Sequence, residues 1–67
     1  MQVTAVLTPE DDGFVAYNPE TGTASQGHTI EEALANLKEA VELFLEDQPM
    51  PSGRPALVTS ITIGVHA

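Results

Sequence analysis

The chain is expected to fold as a small α+β domain in the order β-β-β-α-β, and three observations predict it. Short alternating runs, broken by turn residues, fill the first 26 positions. A long central stretch then repeats its apolar residues every three or four places, and a last alternating run closes the chain. Period two marks strands and a period near 3.6 marks a helix. The expectation is a three-stranded antiparallel meander, one helix packed on the sheet, and a C-terminal strand that returns to it.

In the first run, Gln2 to Thr8, residues Val3, Ala5 and Leu7 share one face and Gln2, Thr4, Val6 and Thr8 the other. Pro9 is expected to end this strand, because proline donates no ladder hydrogen bond. Asp11-Asp12-Gly13 is a hairpin signal, in which the glycine would supply a positive φ. Phe14 to Asn18 is the returning strand, with Phe14 and Ala16 on one face and Val15 and Tyr17 on the other. Pro19-Glu20-Thr21-Gly22 forms a second turn, and Thr23 to Gln26 a short third strand. Gly27-His28 bends the chain into the helix.

Thr29 is the expected N-cap, with Glu32 three residues on completing a capping box. Glu31 and Glu32 complement the positive end of the helix dipole. Ile30, Leu34, Leu37, Val41, Phe44 and Leu45 form the apolar stripe, with Ala33 and Ala40 at its margin. Leu43 falls roughly 120° from Leu37 at about 100° per residue, off the stripe. Glu31, Glu39, Glu42 and Glu46 lie on the outward face. The helix should end near Asp47 or Gln48, since the loop from Pro49 to Pro55 cannot continue it. Leu57 to Val65 then alternates, with Leu57, Thr59, Ile61, Ile63 and Val65 on one face.

Composition narrows the function. The 67 residues suffice for one domain, residues 1–67, and a domain this small buries only about 60% of its unfolded surface, so pairing between chains is expected to add stability. Two Lys+Arg against ten Asp+Glu give a net charge of −8. Direct nucleic-acid binding needs clustered cations and is not expected. The charge suits a basic protein partner, and solubility is an equally open reading of the same charge. There is no cysteine, hence no disulfide framework or thiolate metal site. No apolar run approaches the ~20 residues of a membrane span, and the start lacks a basic leader, so a cytoplasmic location is expected.

The runs from Phe14 to Glu20, Ala24-Ser25-Gln26-Gly27, and Thr29 to Glu46 resemble the HicB family of antitoxins, and Val58 to Val65 looks like that family's final strand. The resemblance covers nearly the whole chain. It implies a partial RNase H-like fold, β1-β2-β3-α-β4. It also implies a role, the binding and silencing of a small basic HicA-type toxin that cleaves mRNA. The turn from Glu20 to Thr23 is shorter than in many members and lacks their cysteine. Longer members append a DNA-binding domain, which this sequence does not contain, so operator binding is not carried over.

Catalysis is not expected. RNase H chemistry needs several carboxylates converging on divalent metals, and the strand interiors hold none. Glu10, Asp11 and Asp12 read as a solvated turn. His28 and His66 stand beside no acid pattern or thiol and are read as polar residues rather than a zinc site. No Gly-x-Ser-x-Gly elbow or phosphate loop occurs. No catalytic, metal or cofactor residue is assigned. The candidate partner-binding residues are Glu31, Glu39, Glu42, Leu43 and Glu46. Two functions compete: a HicB-like antitoxin that occludes a HicA-like toxin, and a solitary homo-oligomeric scaffold or regulator of the same fold.

Overall fold

The computed structural model describes residues 1–51 and 53–65. Three strands form one antiparallel sheet in the order β1-β2-β3: β1 (Val6–Glu10), β2 (Gly13–Asn18) and β3 (Thr23–Gly27). The helix α1 (Ile30–Asp47) follows and packs on one face, chiefly over β3 and β2. Pairing sets Leu7 opposite Ala16, and Ala16 opposite Ser25, so these residues share a face. The meander and the covering helix agree with the sequence reading.

The first strand starts later than its alternation suggests and runs through the proline. Pro9 pairs with Phe14, and Glu10 with Gly13. The backbone of Thr4 explains this. Its N–H donates to Glu20 Oε1 at 2.6 Å, and its carbonyl accepts from Asn18 Nδ2 at 2.7 Å, so both groups point toward the β2 side. Inward and outward backbone groups alternate along an antiparallel edge. Val6, Thr8 and Glu10 therefore bond to β2, while Ala5, Leu7 and Pro9 face the open edge. Proline there costs no ladder bond.

Gly13 is also used differently from the expectation. Only Gly22 (φ 74°) and Gly53 (φ 117°) have positive φ among the described residues. Gly13 begins β2, and a Cβ on it would lie 2.9 Å from the His28 Cα, so its role is close backbone approach rather than turn conformation.

The core consists of Ala16, Ala33, Leu37 and Val41, with Leu7, Phe14 and Leu45 packed around it. Ala33 is thus central, not marginal, whereas Ile30 and Leu34 are 42% and 37% exposed. The reason is at Gly27. A Cβ on Gly27 would lie 2.5 Å from the Ala33 nitrogen, so helix and β3 nearly touch at their backbones and only a small side chain fits between them. The closest side of the helix sets the centre of the core. The wider side, with Ile30 and Leu34, overhangs solvent.

The expected fourth strand, Leu57–Val65, is not a strand of this sheet. Residues 54–65 form no regular element and are exposed throughout. Alternation fixes which side chains share a face, but a strand also needs an edge to accept it, and this segment lies along none in its own chain.

Candidate partner-binding surface and polar node

Three features outside the apolar core stand out as candidate sites. The first is the outward face of α1. Thr29 caps the helix as expected, its Oγ1 accepting from the Glu32 N–H at 3.1 Å, whereas Glu32 reaches one residue beyond the cap and accepts at Oε1 from the His28 N–H at 2.9 Å. The Thr29 cap fixes where the helix begins and hence which positions face out. Glu31, Glu39, Glu42 and Glu46 are all exposed, and Leu43 beside them is 57% exposed. From Glu31 to Glu46 this acidic face runs roughly 22 Å, at about 1.5 Å per residue. The structure brings all five sequence-nominated residues onto the solvent side of one helix.

The second is an acidic cleft of about 680 Å³ at the hairpin end of the sheet, lined by Glu10, Asp11, Asp12, His28 and Glu32 among others. His28 Nδ1 lies 3.1 Å from the Asp12 carbonyl oxygen, tying the hairpin turn to the helix entry. This gives His28 a structural contact; His66 lies outside the described residues. Among the described residues no group of three or more His, Asp or Glu is placed to hold a metal ion.

The third is a polar node that the sequence reading did not identify. Asn18 is fully buried. Its Nδ2 donates to the Thr4 carbonyl and to Glu20 Oε1, both at 2.7 Å. Its Oδ1 accepts from the Thr21 N–H at 2.9 Å and from the Thr21 hydroxyl at 2.5 Å. Both donor hydrogens and both acceptor sites of the amide are used. Glu20 joins the node from above: Oε2 accepts from the Thr4 hydroxyl at 2.8 Å and from the Ala56 N–H at 2.6 Å. The Glu20 carboxyl is lowered from 4.5 to about 2, first by the Thr4 N–H and then by the Ala56 N–H, against a smaller opposing effect of desolvation. The Thr4 hydroxyl and Asn18 amide add to the lowering. The node pins the start of β1, the β2–β3 turn and the beginning of the C-terminal segment to one point. Its sequence signal was Asn18-Pro19-Glu20 directly after a strand, which reads only as a turn when Thr4 and Ala56 are not known to be near.

A family described as of unknown function (DUF7387) matches residues 3–64. The chain is also similar to curated UPF0150 proteins. One from Helicobacter pylori is 46% identical over 48 residues, covering 70% of this chain and 67% of the relative. One from Thermoplasma acidophilum is 32% identical over 69 residues and covers both chains fully. One from Synechocystis is 45% identical over 49 residues, covering 70% of this chain and 68% of the relative. No solved structure matches the chain.

Proposed function

Because the chain belongs to DUF7387, a family of unknown function with UPF0150 relatives, we propose a function from its own surface and its HicB resemblance: it is a non-catalytic antitoxin that covers the RNA-binding surface of a small basic HicA-type ribonuclease. The observation that carries this reading is the acidic outward face of α1, set in a chain of net charge −8. A toxin that grips RNA needs a basic surface. An acidic helix face opposite it would steer encounter and exclude the RNA. On the same resemblance the proposed fold is a partial RNase H-like one, and the proposed site of action is the cytoplasm, where mRNA is cleaved.

The test is a tagged pull-down of the full chain from its source cells, followed by Glu39→Lys with Glu42→Lys. The expected result is a stoichiometric small basic protein whose RNA cleavage stops when the chain is added. The double reversal should weaken that complex at low salt, with the helix signal in circular dichroism unchanged. Unaltered affinity would remove the outward face as the site. Recovery of the chain alone would favour the second reading, a solitary homo-oligomeric scaffold or regulator. One observation favours that reading independently: the exposed, alternating apolar segment from Leu57 to Val65.

A further inference from the structure

We propose that Leu57–Val65 is an exchanged strand: in a dimer, the segment of each copy pairs along the open β1 edge of the other and covers the overhanging side of its helix. The donor is a strand by pattern and unpartnered in its own chain. Leu57 is 96% exposed, and Val58, Ile61, Ile63 and Val65 are also exposed. Beyond Ala56 the hydrogen bond present among the described residues is a local one, from the Thr59 hydroxyl to the Ser60 carbonyl. The chain is correspondingly drawn out. Its radius of gyration is 14.2 Å, against roughly 11 Å for a compact domain of this length. The longest extent is 50 Å, whereas the helix spans only roughly 27 Å at about 1.5 Å per residue.

The root of the segment is held while the rest projects. Ala56 donates its N–H to Glu20 Oε2 at 2.6 Å, and its carbonyl lies 3.1 Å from the Thr4 hydroxyl oxygen. This fixes the point of departure at the beginning of β1 and leaves the following residues free of their own sheet.

The acceptor is equally defined. Ala5 and Leu7 turn N–H and C=O groups outward, and Pro9 closes the edge, since it has no N–H to offer. The helix lies chiefly over β3 and β2, and on its side away from β3 it leaves Ile30 and Leu34 part-exposed. Asn36 Nδ2 donates to the Gln26 carbonyl at 2.8 Å, which sets that side of α1 over β3. Leu34 lies about 200° around the helix from Asn36, on the β1 side, at about 100° per residue. A strand added beside β1 extends the sheet on the side of the helix where Ile30 and Leu34 are exposed.

Charge permits the pairing. Residues 57–65 contain no charged side chain, so the net charge of −8 is not concentrated at this seam. Glu31, Glu39, Glu42 and Glu46 of α1 face solvent rather than the sheet. A second copy is the occupant because it offers the matching edge and receives the matching segment, so both free edges and both exposed segments are satisfied by one two-fold operation.

The test uses the full chain. Wild type should sediment at twice the chain mass of 7.1 kDa. Ile61→Pro removes an N–H and the extended pairing, and should sediment at the single-chain mass with unchanged helical circular dichroism. The chain has no cysteine of its own, so cross-linking reads the contact directly. Ala5→Cys chains mixed with Thr59→Cys, Ile61→Cys or Ile63→Cys chains should oxidise to mixed disulfides between unlike partners for at least one pair. A monomeric wild type would overturn the proposal. So would a dimer that survives Ile61→Pro, or disulfides that join only like chains. Toxin binding is not read by any of these measurements, so the two proposals stand or fall separately.

Discussion

Asn18 is the residue whose loss should be felt most for its size. Asn18→Ala removes four hydrogen bonds at once. A protein hydrogen bond contributes about 0.5–1.5 kcal/mol net, and a buried group left without a partner costs about 1–3 kcal/mol. Thr4, Glu20 and Thr21 are half-buried rather than buried, so water recovers part of the loss. The expected destabilisation is therefore about 2–4 kcal/mol. A chain of this length has only roughly 3–10 kcal/mol in total, at about 0.05–0.15 kcal/mol per residue. The midpoint of thermal unfolding should fall by on the order of 10–25 °C. The assay is urea unfolding followed by circular dichroism and by Tyr17 fluorescence, at one fixed protein concentration because association would shift the midpoint. Asn36→Ala is the control, since it loses a single exposed hydrogen bond. If the two variants unfold within about 1 kcal/mol of each other, solvent replaces the node and the reasoning fails.

Two more expectations come from the same geometry. The Glu20 carboxyl titrates at about 2 when folded against 4.5 ordinarily, so its contribution is complete above pH 4.5 and is lost as pH falls toward 2. Comparing acid unfolding of wild type with Glu20→Gln should show the wild type's advantage shrinking across that window; parallel curves would refute the assignment. At Gly27 a methyl group would lie 2.9 Å from Glu32 Cβ and closer still to the Ala33 nitrogen. Gly27→Ala should cost about 1–3 kcal/mol as the helix is pushed off β3, and an unchanged urea midpoint would refute the close approach of the two backbones.

The local elements were legible in the sequence because their causes are local. The cap at Thr29, the apolar spacing to Leu45 and the block at Pro49 fix α1 to within a residue. The Pro19–Gly22 turn and the alternation on either side of it fix the β2–β3 hairpin. The exposed acidic face of α1 follows from the same spacing, because a helix that buries Leu37 and Val41 must turn Glu39, Glu42 and Glu46 outward.

What tertiary structure alone decided depends on residues far apart in the chain. Pro9 is admitted to β1 because that strand lies at the edge, a fact of sheet order. Ala33 outranks Leu34 in the core because Gly27 lets two backbones meet. Asn18 and Glu20 acquire their weight from Thr4 and Ala56, which are 14 and 36 residues away from them respectively. Periodicity gives the faces of Leu57–Val65 and says nothing of the edge they meet. A strand is a relation between two segments, and that relation is settled only when the rest of the chain has taken its place.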